Sequence, residues 1–368
     1  MKAYIPATCC TFAAAALLMA CNGASITNPF DATGDPAQVK TFTKLTPRAA
    51  VVVDRNCPQL VQPYRLSDNA ASLIQFNVTE VLKGLPGQLS SILSSSPTPD
   101  TGSQLSDSTK LAAKQLNWLP MSAEVHYAKR QHDTRKDLLP RDNKLGRKHY
   151  PVADKMLSDI LASVGEPHDY DFKLFIVKTS NRNALALPGG YLYLDQGLLN
   201  DPKQHPKAYF ALAHEVAHVL QRHETKEMQS LVVDSFSVKA DLVDTIKDAN
   251  SSPEKVVDRI KLEKGQFTRH HIDQELQADS CAVKMLSEVY PDSQGLSSSI
   301  NAFVKDLPPM EPTASRAAPK NQAEAVADNV YDIVNSPLMR HPNTRERTEN
   351  LQAIYREVTS SSASAAAN

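Results

Sequence analysis

Between Ala211 and Leu220 the chain reads Ala-Leu-Ala-His-Glu-Val-Ala-His-Val-Leu, apolar on nearly every face of a helix except at three polar residues. A helix of that kind has to be buried. Burying two imidazoles and a carboxylate without partners costs several kcal/mol, about 2–7 for each unsatisfied polar group. Any fold this chain adopts must therefore bring partners to His214, Glu215 and His218. Pro206 can open the helix with His205 before it as cap, and the pattern runs from Ala208 to His223. Residues at i and i+4 lie about 40° apart and one turn along the axis, so both histidines can reach one cation. Glu215 is offset from that stripe and suits the place beside the metal's water, as a general base. Taken alone, the pentad also fits two satisfied core histidines.

A catalytic zinc needs a third protein ligand and an open fourth position. Downstream, His271 to Tyr290 reads as a second helix, with Ile272, Leu276, Val283 and Leu286 on its apolar side. Glu275 and Asp279 sit four apart on one face. Glu275 is the expected third ligand, and Asp279 is placed to accept an N–H from a metal-bound histidine and so fix its tautomer. By spacing alone, Glu275 also fits a solvated surface carboxylate. His223, His270 and His271 compete for the ligand role. His223, five residues past His218, is expected to point away from the pair.

Around these helices the pattern is that of an α+β protein. Val152, Met156, Ile160, Leu161 and Val164 recur at helical spacing until Gly165-Glu166-Pro167 stops them. Phe172 to Val177 has a strand's length and composition. Pro188-Gly189-Gly190 predicts a turn or bulge, followed by a strand over Tyr191 to Leu194. A proline there favours a sheet edge, where an extended peptide can add as a further strand. Thr225 to Gly265 carries Met228, Leu231, Val232, Leu242, Val243 and Ile246 and reads as an amphipathic helical insertion, either a lid over the site or part of the core.

The N-terminal part is of another kind. Met1-Lys2 precedes an uncharged Ala-, Leu- and Met-rich run to Ala20, as in a secretory signal. Leu18-Met19-Ala20-Cys21 resembles the bacterial lipobox, which implies cleavage after residue 20 and acylation of Cys21. The alternative is a plain signal peptide cut near Ala20 or Ala24. Asn22 after the lipidated cysteine leans towards the outer membrane, facing the periplasm. No later segment has the length of a membrane span. Cys9 and Cys10 leave with the signal, so Cys57 and Cys281 are the remaining thiols, and an oxidising compartment permits them to pair or to stay apart. The expected organisation is a signal over 1–20 and a tether, small subregion and linker over 21–108. Ala49 to Val53 and Leu73 to Leu82 are candidate strand and helix there. A catalytic domain spans 109–355, with the insertion at 225–265, and a disordered tail spans 356–368. A net charge of −1 without a basic block argues against a nucleic-acid partner.

Ala213 to His223, together with Asn-Ala-Leu-Ala-Leu-Pro-Gly-Gly over 183–190, Glu-x-x-Ala-Asp over 275–279 and His341-Pro342 followed by Arg347 and Leu351, resembles the HtpX and CAAX-prenyl-endopeptidase family of zinc metallopeptidases. The four motifs occur in the family's order and cover roughly Tyr150 to Leu351. The resemblance implies one zinc per chain held by His214, His218 and Glu275, with Glu215 as base and Asp279 in support. It also implies His341 beside the substrate carbonyl; capping the helix that Pro342 begins is the other role open to His341. Arg347 is expected in a structural ion pair. The fold implied is a helix-rich, zincin-like domain with a small, mostly antiparallel sheet. The activity implied is hydrolysis of internal peptide bonds in exported, misfolded or misassembled envelope proteins, with the backbone of Ala186 to Leu187 or Tyr191 pairing with an extended substrate. The family's membrane-spanning helices are missing, which sets prenylated substrates aside. The rival readings are a chaperone-like or binding lipoprotein with an idle or self-inhibited site, and a structural zinc protein whose fourth ligand closes the site.

Overall fold

The computed structural model describes residues 53–63, 110, 113–236, 239–261, 271–290, 292–305 and 345–366. The signal over 1–20, Cys21, the candidate helix Leu73 to Leu82, the linker, His270 and His341 all lie outside them. In chain order the elements are α1 (Met121–Asp133), α2 (Lys144–Ala162), β1 (Lys173–Val177), β2 (Ala184–Leu187), β3 (Tyr191–Asp195), α3 (His205–Leu220), α4 (His223–Asp234), α5 (Lys239–Ser251), α6 (Pro253–Lys261), α7 (Ile272–Val289), α8 (Ser293–Lys305) and α9 (Arg345–Ala366).

The class is α+β, as the sequence indicates, and the sheet is mixed. Its order is β1-β3-β2. β2 and β3 form the expected antiparallel hairpin, Leu187 opposite Tyr191 and Ala184 opposite Leu194. β1 joins parallel to β3, Lys173 beside Tyr191 and Val177 beside Asp195. The hairpin turns at Gly189 and Gly190, whose φ values of 77° and 91° suit residues without a Cβ. A Cβ on Gly189 would lie 2.8 Å from the backbone nitrogen of Val125, so packing on α1 demands glycine as well.

α3 is the centre of the fold. Every residue from Phe210 to Leu220 is buried, and α3 packs against α2, the sheet, α7 and α8. Phe210 meets Phe303 of α8 at a ring separation of 4.4 Å, and Leu351 of α9 reaches the same apolar core. The segment 53–63 is bound to this core by a Cys57–Cys281 disulfide, by Leu60 and Val61 N–H donation to Glu166, each at 2.8 Å, and by Gln62 N–H donation to Leu220 at 2.9 Å.

A second apolar cluster joins α4, α5 and α6 to Ala113, Leu116, Trp118, Leu119 and Ala123. Met228, Val232, Leu242 and Ile246 of the 225–265 insertion are buried in it, so these side chains serve as core. The tail expected to be disordered continues as helix through Ala366. Alanine and serine there let α9 propagate once its first turns are docked.

Candidate metal centre

The Nε2 atoms of His214 and His218 lie 3.0 Å apart. Glu275 of α7 closes the triangle, Oε2 at 3.4 Å from the Nε2 of His214 and Oε1 at 3.5 Å from that of His218. Each of the three is at most 2% exposed. This is the arrangement expected from two helices crossing with their i, i+4 faces opposed. One atom from each residue could hold a single metal ion, and the set of two imidazoles and a carboxylate suits zinc. Among the described residues no fourth side chain joins this group. His271 lies apart, its Nε2 at 3.5 Å from Glu227.

Behind these residues sits a buried ionic network. The Nδ1 of His214 is 2.9 Å from Asp279 Oδ1. Asp279 also accepts from Arg347, Nε at 2.8 Å and Nη2 at 2.6 Å, and Nη1 of Arg347 is 2.9 Å from Glu275 Oε2. Arg347 thus makes the structural ion pair expected of it, and spans both acids of α7. Burial by itself favours neutral forms, and it is the largest influence on both His214 and Asp279. The charged neighbours together outweigh it. Asp279 and Glu275 raise the His214 pKa above the usual histidine value, and Arg347 with His214 holds the Asp279 carboxyl below its own.

Glu215 is buried on the same helix, and its Oε2 accepts from the N–H of Ala186 at 2.6 Å. Ala186 lies in β2, one of the two edge strands, so the carboxylate links α3 to the strand that proline placed at an edge.

His223 departs from expectation. Its ring turns back onto His218, with Nδ1 at 2.9 Å from the Nδ1 of His218 and Nε2 at 2.8 Å from Gln277 Oε1. The sequence gives little warning, because the break between α3 and α4 is made at Arg222, whose φ of 57° and ψ of 35° are left-handed, without a glycine or proline to announce it. The buried Arg222–Glu124 pair, at 2.6 Å, is likewise invisible in sequence spacing.

A His-Glu-x-x-His helix crossed by a second helix that supplies a carboxylate defines a metallopeptidase centre. Residues 150–355, more than half of the chain, match Peptidase family M48, and the chain belongs to that family. Over 83 residues it is 34% identical to a protein of Vibrio cholerae serotype O1 named "Putative beta-barrel assembly-enhancing protease". That match covers 23% of this chain and 17% of the relative.

Proposed function

We propose that the chain is a zinc-dependent endopeptidase that cleaves internal peptide bonds of exported proteins, misfolded or misassembled envelope proteins among them. The observation that carries this reading is the convergence of His214, His218 and Glu275 with Glu215 beside them. A zinc ion held by those three supplies Lewis acidity and makes water nucleophilic near neutral pH. In this reading Glu215 takes a proton from the attacking water and passes it to the leaving amine. Asp279, held by Arg347, keeps His214 presenting Nε2. The edge of β2 receives the substrate as an extended strand, with the Ala186 N–H passing from Glu215 to the substrate. By the resemblance of its motif, His341 is the residue assigned to steady the substrate carbonyl.

Export is supported by the Cys57–Cys281 bond, since disulfides persist in oxidising compartments, and by the relative's name, which refers to β-barrel assembly. Anchoring through a lipid on Cys21, at the outer membrane facing the periplasm, rests on the lipobox resemblance. Cys21→Ala should then move the protein from the membrane to the soluble fraction. A second reading, a chaperone-like lipoprotein with a self-inhibited site, is favoured by one contact: the base Glu215 is engaged by Ala186 N–H.

Metal analysis combined with casein degradation separates the two. The wild type should hold one zinc per chain and degrade casein. Glu215→Gln should retain the metal and lose activity by about 10²–10⁴-fold. A zinc-loaded wild type that leaves casein intact would favour the self-inhibited reading.

A further inference from the structure

We infer that His223 is a positioning residue for His218, and that Gln277 anchors it. The inference rests on the metal-centre reading above and gives a role to two residues that lie within the motifs but were assigned none by them.

The argument starts with proton placement. An imidazole that presents its Nε2 lone pair to a cation must carry its own proton on Nδ1. The Nε2 of His218 is the atom facing His214 and Glu275, so its Nδ1–H has to be accepted elsewhere in a buried site. The atom 2.9 Å away is Nδ1 of His223. To accept, that nitrogen must be unprotonated, which puts the proton of neutral His223 on Nε2. There it donates to the Oε1 of Gln277 at 2.8 Å. Every donor meets an acceptor in one direction only: His218 to His223 to Gln277. Each of the three is at most 3% exposed, so water does not readily substitute for a missing partner.

The backbone is shaped to deliver this ring. Continued as one helix, α3 would carry a residue at i+5 about 140° round the axis from His218. The left-handed Arg222 interrupts it, and α4 restarts at His223 itself. That conformation is unfavourable for a residue with a Cβ, yet it is held from several sides. Arg222 donates to Glu124 through Nε at 2.9 Å and Nη2 at 2.6 Å, and to Leu119 O at 2.5 Å. Thr225 donates to the same Glu124 oxygen. A strained turn braced by a buried ion pair is the kind of construction found at functional sites.

The two candidate ligand histidines are then oriented from one helix by different chemistry. α7 reaches His214 directly with Asp279, and His218 through the neutral His223–Gln277 relay. Supports of this sort are worth about 10–100-fold in metal affinity.

The test uses full-length protein with ¹⁵N-labelled histidine. In the zinc-loaded wild type, ring ¹⁵N–¹H correlations should show the Nδ1–H tautomer at His218 and Nε2–H at His223. His223→Phe keeps an aromatic ring and removes the acceptor. It should weaken zinc binding, measured by chelator competition, by about 10–100-fold. His223→Gln restores a side chain able to accept and donate, and should recover most of that loss. Gln277→Leu leaves His223 in place and gives an independent reading should His223→Phe not fold; it should also weaken zinc binding. An Nδ1–H tautomer at His223 in the zinc-loaded wild type overturns the inference. So does a folded His223→Phe or Gln277→Leu that binds zinc within threefold of a zinc-binding wild type, which leaves the metal centre standing. A wild type that takes up no zinc defeats the metal-centre reading and this inference with it.

Discussion

Two buried regions of the molecule handle charge in different ways. Around α3, α7 and α9, His214, Glu275, Asp279 and Arg347 are almost wholly withdrawn from solvent, and each meets an oppositely charged or polar partner. Around α4, α5 and α6 the apolar cluster is built from Met228, Val232, Leu242, Ile246 and Val257 against Trp118 and Leu119, with the buried Arg222–Glu124 pair confined to its border at the start of α4. The first arrangement fixes geometry, because a planar guanidinium gripping two carboxylates leaves little freedom to any of them. It is also fragile, since deleting one member leaves the others charged and dry. The second is tolerant. Losing a methyl group there removes only that group's contacts.

The sharpest way to break this comparison is Arg347→Met. The substitution keeps an unbranched apolar stem and removes the charge shared by Asp279 and Glu275. Stranding two buried carboxylates should lower the stability of the metal-free protein by about 3–5 kcal/mol. Ile246→Val, in the aliphatic region, should cost about 1 kcal/mol. Urea denaturation of both variants at pH 7 checks the pair, and equal losses would mean that the ionic network is no more demanding than ordinary packing.

The same contrast explains what the sequence allowed to be read. Asp279, Glu275 and the His214–His218 pair were legible because helical spacing puts them on common faces, while their roles came from the agreement of the four motifs, since spacing alone left a core or a surface role open. Arg347 was legible as an ion-pair former, although its second partner, Glu275, was not. Non-local placements were hidden. The parallel pairing of β1 with β3 depends on a crossover that no pattern within Lys173–Val177 announces. Burial of the insertion's apolar stripe in a second core depends on Ala113 to Ala123, a region without a catalytic motif. His223 was misread because its direction follows from a single left-handed residue, Arg222, whose conformation is set by Glu124 nearly a hundred positions earlier.

The disulfide offers a smaller and more local perturbation. Cys57 and Cys281 are 224 residues apart in sequence, and Cys281 lies two residues beyond Asp279 on α7. The bond fastens the 53–63 segment to the ionic region and makes no direct link to the aliphatic one. Reduction, or Cys57→Ser, should cost about 2–4 kcal/mol of stability. Amide exchange should show lost protection along 53–63 and α7, while α5 and α6 keep theirs. Uniform loss across both regions would show that the two cores unfold as one unit, and the distinction drawn between them would then concern chemistry and not cooperativity.

Lys226 on α4 supplies the smallest expected effect and the finest test, because it is a buried cation outside the ionic network. It is 8% exposed. Burial chiefly, and Arg222 nearby, lower its pKa from 10.5 to about 8; the neighbouring acids of Arg347 push that residue's pKa the other way. The sign of the pH dependence follows. Below about pH 8 both folded and unfolded chains carry the charge, and the folded state bears the whole burial penalty. Between about 8 and 10.5 the folded chain has released a proton that the unfolded chain still holds, so stability rises with pH through that window. Lys226→Met removes the penalty. It should therefore be more stable than the wild type at pH 7, by about 1–3 kcal/mol at roughly 1.4 kcal/mol per pKa unit, with the advantage fading by pH 10.5. Urea denaturation of both proteins across pH 7–10.5 measures the difference directly. A gain independent of pH would trace to packing alone. A loss at pH 7 would mean that Lys226, like Arg347, is held by a partner whose charge it satisfies, and the boundary between the two regions would have to be redrawn to include α4.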